Sequence, residues 1–182
     1  FQGNGIFEVV EENPFLEKFY QEPERFAFQT QIFFLLSRFK QMEQIIQADL
    51  FCKTVVSDYL FDKDRIFASI NLNNDEFILY EKVFRALHKQ LPEPDLIIYL
   101  TASTDVLLSR IRDRNRSFEK EMPGGYLDKI KQMYKQHFLS LVQKKQKKVL
   151  CVDTSELNIR ENEKDKHSLL NMILSHLYLK ML

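Results

Sequence analysis

The sequence predicts an α/β fold, a parallel sheet flanked by helices, and three observations carry that expectation. Short apolar, β-branched runs alternate with longer stretches whose apolar residues recur at helical spacing, as parallel strands joined by crossover helices require. The conspicuous polar residues fall at or beyond the carboxyl ends of the expected strands, where open parallel sheets bind ligands. The chain has 182 residues and is 45% hydrophobic, enough for one substantial core, so residues 1–182 are expected to form a single domain.

The elements follow in order. Ile6 to Val10 reads as a strand, broken by Glu11-Glu12-Asn13-Pro14. A helix opens near Pro23 and continues to Ala48, with Phe28, Ile32, Leu35, Leu36, Phe39, Met42 and Ile46 at helical spacing. Gln31 and Arg38 lie two turns apart on that helix and share one face. Thr54 to Asp58 reads as a strand ending in an acid. Asp75 to Gln90 is an amphipathic helix stopped by Pro92 and Pro94. Asp95 to Thr101 reads as a buried strand, with Thr104 as the cap of the next helix. Another helix runs from Pro123 to Lys144, then a strand from Val149 to Asp153, then a closing helix from Ser168 to Lys180.

Composition excludes several function classes. Lys and Arg total 26 and Asp and Glu total 26, so the basic surplus of a bulk nucleic-acid binder is missing. Sixteen Phe and seven Tyr suit stacking on a flat ligand. Cys52 and Cys151 sit beside apolar runs and are expected as buried free thiols. His88, His137, His167 and His176 fall in unrelated helical patterns, without metal-ligand spacing. No apolar run is long enough to cross a membrane and no signal-peptide pattern appears, so the cytoplasm is the expected compartment.

The densest chemical signal is Arg110-Ile111-Arg112-Asp113-Arg114-Asn115-Arg116, an arginine at every second position after a strand. Guanidiniums so crowded repel one another unless an anion neutralises them, and a polyphosphate matches their forked donors. A solvated helix end, where arginine favours the dipole, is the competing reading.

Together these segments resemble the deoxynucleoside kinase family, in the style of its bacterial deoxyadenosine/deoxyguanosine members. The likeness runs from Phe7 to Asp153. It rests on Phe7-Glu8 through Phe19-Tyr20, on Gln31 with Arg38, on Asp58 with Asp64, and on Arg110 through Glu119 followed by Gly125-Tyr126-Leu127. The resemblance implies a P-loop kinase-like fold. It implies ATP with Mg2+ as donor and transfer of the γ-phosphate to a deoxynucleoside 5′-hydroxyl, a purine deoxynucleoside favoured. Glu8 is then the catalytic base, Gln31 and Arg38 face the nucleobase, and Asp58 is one of the substrate-binding residues. Asp64 holds that arginine, with Asp62 a rival for the role. Tyr20 and Glu119 hold the sugar 3′-hydroxyl, and Phe28, Phe34 and Phe67 offer stacking surface. Arg110, Arg112, Arg114 and Arg116 form a phosphate lid, in which Arg114 and Arg116 act catalytically. A homodimer and a fused upstream domain are also expected from the resemblance.

The chain departs from the pattern in two places. The family's first strand and most of its phosphate loop are absent from this chain, which has four glycines and no complete Gly-x-x-x-x-Gly-Lys-Ser/Thr run. The native protein is therefore expected to carry more than this chain shows. Phe1-Gln2-Gly3-Asn4 reads either as the remnant of a protease-site tag or as the opening of that loop. A natural relative without the loop is the third explanation. Secondly, Tyr59 follows Asp58 where many members carry arginine, with Arg65 as a candidate substitute cation. A non-catalytic nucleoside-binding subunit and a nucleoside monophosphate kinase remain the alternative functions.

Overall fold

A computed structural model of the chain describes residues 4–8, 12–48, 54–116, 124–144 and 147–178. It divides into two compact units, Phe1–Glu93 and Pro94–Leu182.

The first unit holds β1 (Asn4–Ile6), α1 (Leu16–Gln21), α2 (Pro23–Ala48), β2 (Val55–Ser57), α3 (Asp62–Asn71) and α4 (Asn74–His88). β1 and β2 are parallel, with Ile6 opposite Ser57. The Asp58 amide extends the ladder by donating to the Ile6 carbonyl at 3.2 Å. α2 starts at Pro23, whose missing N–H costs nothing at a first helical position. α4 opens with a capping box in which Asn73 and Glu76 satisfy each other's backbone N–H groups. α2, α3 and α4 enclose a core built on Leu35, Phe61, Ala68, Tyr80 and Phe84, with the Phe61 and Phe84 rings stacked at 5.2 Å. Phe28 packs against this core. Neither α1 nor α3 is among the elements expected from the sequence. Both are short, and the sharpest cue in α3 is the acidic first turn of Asp62 and Asp64 at the positive end of the helix dipole. β1 ends at Ile6, earlier than the expected run to Val10, of which residues 9 and 10 lie outside the described residues.

The second unit holds β3 (Ile97–Thr101), α5 (Thr104–Arg114), α6 (Gly124–Gln143), β4 (Val149–Asp153) and α7 (Glu163–Tyr178). β3 and β4 are parallel over five pairs, from Ile97 opposite Val149 to Thr101 opposite Asp153. α6 covers one face, with Tyr99 stacked 4.4 Å from Phe138. Alternation along the strand turns Ile98 and Leu100 the other way, where they are 38% and 51% exposed. The expectation of a buried strand is corrected to that extent. Ser103, not Thr104, caps α5: its extended backbone lets Oγ accept the Val106 N–H at 3.4 Å. Thr104 is already helical, and its hydroxyl donates to Asp128 at 2.6 Å and accepts from Lys131 at 2.9 Å. α7 begins at Glu163, a turn before the expected Ser168. Cys151 is a free thiol but exposed, because its position on β4 alternates with buried Leu150 and Val152. Cys52 lies outside the described residues. No helix among the described residues is long and apolar enough to cross a membrane.

Leu35 is fully buried in the first core, so Leu35→Ala is expected to destabilise the protein by about 2–5 kcal/mol. Urea unfolding at constant slope checks it; a loss below about 0.5 kcal/mol, the scale of a surface substitution, would mean that Leu35 is not a core residue.

Candidate functional site

The parallel register of β1 and β2 brings two acids out of the same sheet edge. Glu8 and Asp58 each follow a strand end, and the Glu8 N–H donates to Asp58 Oδ1 at 2.9 Å. The two oxygens of the Glu8 carboxylate meet different cations. Oε1 accepts from Arg38 Nη2, and Oε2 accepts from Lys63 Nζ at 2.6 Å. The other arm of the Arg38 guanidinium pairs with Asp64 Oδ1. Arg38 also lies over the Phe34 ring at 4.8 Å and near the Tyr59 ring at 5.8 Å. Asp64 is fully buried and Arg38 is 5% exposed. Charges so buried persist only when paired and hydrogen-bonded, and here one guanidinium serves two carboxylates.

Arg65 does not supply the cation near Glu8. Its Nε pairs with Glu81 at 2.8 Å. Lys63 is a site residue that the sequence pattern does not reveal; its signal is its place between Asp62 and Asp64 in the first turn of α3. Asp62 lies 3.4 Å from His88 Nε2, so Asp64 is the acid at Arg38. Tyr59 is buried and donates its hydroxyl to Gln41 Oε1 at 3.0 Å. Burial pushes its phenol up to about 12, and the neighbouring Arg38 charge only partly opposes that.

Gln31 stands on α2 with Arg38, as the two-turn spacing implies. It is 3% exposed, and its amide has no hydrogen-bond partner among the described residues. Tyr20 lies on α1, half-buried. A second residue hidden from sequence reasoning ties α1 to α2. Asn13 is 5% exposed, donates from Nδ2 to the Thr30 carbonyl at 3.2 Å and accepts the Phe15 N–H at 3.0 Å. It thereby fixes the start of the Tyr20 helix one residue from Gln31. Its only sequence cue is the Asn-Pro step, which marks a turn and says nothing of a long-range partner. Phe67 lies 5.9 Å from the Lys63 ammonium.

In the second unit the arginine series is helical through Arg114. Residues two apart on a helix point about 200° from each other. Arg110 and Arg114 therefore share a face, Arg112 leaves it, and Arg116 lies beyond the helix end. Asn115 closes α5 in the left-handed conformation, φ 53°, and donates to the Ile111 and Arg112 carbonyls. Arg110 reaches the turn after β4, donating to Thr154 Oγ1 at 2.8 Å and to the Thr154 carbonyl at 2.7 Å. Arg110, Asp113, Ser155, Asn158 and Arg160 line an open cleft of about 440 Å³ there. Glu119 lies outside the described residues. No three metal-ligating side chains converge among the described residues.

A half-buried carboxylate beyond the ends of two parallel strands, between two cations, is the arrangement of a site that handles a polar ligand and its proton. The chain belongs to the deoxynucleoside kinase family, whose model matches residues 4–178. It is 41% identical over 128 residues to a deoxyguanosine kinase of Bacillus subtilis, a stretch covering 69% of this chain and 61% of that protein. It is 36% identical over 133 residues to a deoxyadenosine kinase of Dictyostelium discoideum, covering 70% of this chain and 53% of that protein. The matched stretches thus span between half and two thirds of these relatives. The fold superposes with a TM-score of 0.80 on a deoxyadenosine kinase from M. mycoides with the products dCMP and dCDP bound, at 25% identity over 94% of this chain and 86% of that one. A structure of that kinase with bound dATP gives 0.77 over the same shares of the two chains. The α/β architecture with parallel strands and flanking helices is therefore that of a P-loop kinase.

The Tyr59 pKa has a consequence for stability. A group whose folded pKa lies above its ordinary 10.0 adds stability that is present below that pH and lost on the way to about 12. In Tyr59→Phe the fall of urea-unfolding stability across that alkaline window is expected to be shallower. An unchanged slope would place the Tyr59 phenol in ordinary solvent.

Proposed function

We propose that the protein transfers the γ-phosphoryl group of ATP to the 5′-hydroxyl of a deoxynucleoside, a purine deoxynucleoside favoured. One observation carries this reading: the Glu8 carboxylate, held at the sheet edge by Arg38 and Lys63, in a chain of the deoxynucleoside kinase family. The relatives named deoxyguanosine and deoxyadenosine kinase support the purine preference.

Glu8 accepts the hydroxyl proton as the substrate oxygen attacks phosphorus. The O–H bond breaks, an O–P bond forms, and the bond from phosphorus to the bridging oxygen breaks to release ADP. Such base catalysis contributes about 10²–10⁴ in rate. Gln31 offers a donor and an acceptor on one amide, as a nucleobase edge requires, and its lack of a partner among the described residues leaves both for the ligand. Arg38, fixed by Asp64, completes the base-side wall, and Asp58 orients Glu8 through its backbone N–H. Tyr20 and Glu119 take the sugar 3′-hydroxyl.

On the donor side, Arg110, Arg112, Arg114 and Arg116 serve the phosphates as a lid, with Arg114 and Arg116 stabilising charge during transfer. The cleft beside Arg110 is polar, with Arg110 and Arg160 set among Asp113, Glu156 and Glu161. Mg2+ fits as an ion borne by the nucleotide, since magnesium in such sites relies on phosphates and water with one or two carboxylates. When bound, the ion neutralises phosphate charge. The working unit in this proposal is a cytoplasmic homodimer, with an upstream fused domain compatible with it.

Glu8→Gln is expected to lower turnover of deoxyadenosine or deoxyguanosine at least about 100-fold with the fold retained; unchanged turnover would reject Glu8 as the base. Gln31→Ala is expected to weaken deoxynucleoside binding about tenfold, through loss of hydrogen bonds worth about 1.4 kcal/mol. Calorimetric titration reads this directly, and equal affinity would remove Gln31 from the base site.

A further inference from the structure

The two cations on Glu8 are held in different ways. Arg38 is 7% exposed along its side chain, bridges two carboxylates and lies over Phe34. Lys63 is 26% exposed and brings a point charge on a flexible stem to the other carboxylate oxygen at 2.6 Å. Arg38 is thus built into the wall. Lys63 is the more exposed of the two.

We infer that Lys63 is a positioning residue for the transfer reaction: it keeps Glu8 ionised and aims Oε2, supplying from α3 the positive charge that Tyr59 cannot. The inference rests on Glu8 being the base. The charged and titratable groups around Glu8 come from every element packed there. Among the described residues they are Arg38 on α2, Lys63 and Asp64 on α3, and Asp58 and Tyr59 after β2. Tyr59 stays neutral through ordinary pH, since its phenol is pushed up to about 12. Arg38 thus serves both Glu8 and Asp64, Lys63 serves Glu8, and Asp58 accepts the Glu8 N–H. Removing Lys63 leaves Glu8 and Asp64 on one guanidinium beside Asp58, which favours protonation of the acid that lost a partner. A protonated Glu8 has no room for the hydroxyl proton.

The placement follows from the sequence. Lys63 and Asp64 are neighbours in the first turn of α3. One turn of helix delivers a cation to Glu8 and an anion to Arg38, closing a network of alternating charge. A cation at position 59 is unnecessary in this arrangement, and the aromatic ring there packs near Arg38 instead.

The test uses the full chain with 13C-labelled glutamate. The Glu8 carboxyl resonance is identified by its disappearance in Glu8→Gln. In Lys63→Met its titration midpoint is expected to rise by about one pH unit or more, because an opposite charge at this range moves a carboxyl midpoint by about 1–3 on the pH scale. Lys63→Arg restores the midpoint. In turnover, the acid limb of the kcat profile moves up by the same amount. At a pH below that limb kcat falls about tenfold for each pH unit the limb has moved, while KM for the deoxynucleoside stays within about threefold. A merely structural lysine would not move that limb. Should Lys63→Met fail to fold by circular dichroism, Lys63→Gln, polar but uncharged, reads the same change. An unchanged midpoint in a folded Lys63→Met or Lys63→Gln overturns the inference. Loss of turnover in Glu8→Gln beside an unmoved midpoint sinks the Lys63 role alone. Retained turnover in Glu8→Gln sinks the base reading, and the inference with it.

Discussion

The bridge that Arg38 makes between Glu8 and Asp64 is the constraint on which the first unit depends. It ties the end of β1 to α2 and α3 through one guanidinium. A planar fork can serve two carboxylates at once; an ammonium in the same place could not present both edges. Deep burial makes the arrangement unforgiving, because a lone carboxylate as buried as Asp64 costs several kcal/mol. Leu35 and Arg38 stand one turn apart on α2, so the apolar core and the charged network share one scaffold. Core packing thereby holds the angle at which the guanidinium meets Glu8.

The second unit fixes its chemistry by a different device. Arg110 reaches across to the turn after β4 and donates to both the side chain and the carbonyl of Thr154. Thr154 in turn donates its backbone N–H to the Thr101 carbonyl at 2.7 Å, so the ends of both strands and α5 are stitched together. The arginines beyond Arg110 leave a rigid base in different directions, since helix geometry sends alternate residues to opposite sides. A row that looks continuous in sequence is a divided set in space: one anchor, one arginine on its face, one on the opposite face, one past the cap.

Much of the site is legible in the sequence. Spacing alone places Gln31 and Arg38 on one helix face, and the acid expected to hold Arg38, Asp64, does hold it. Lys63 is illegible because its meaning lies in a partner 55 positions away. Asn13 reads as a turn residue because its hydrogen bond to Thr30 crosses from a loop to a helix. Arg65 looks like the substitute cation beside Tyr59, yet two residues of helix beyond Lys63 turn it toward Glu81. The short helices α1 and α3 escape a sequence reading because too few residues repeat within them to establish a period.

By itself the sequence determined what is periodic and local: the long α2 and the parallel-strand pattern. Tertiary structure decided which charges meet. Local spacing sets the face on which a residue stands, but a salt bridge between Glu8 on a strand end and Lys63 on a helix depends on how the backbone brings distant segments together. Burial then sets the strength of that contact, because removing water is what turns a pair of ordinary surface residues into a committed interaction.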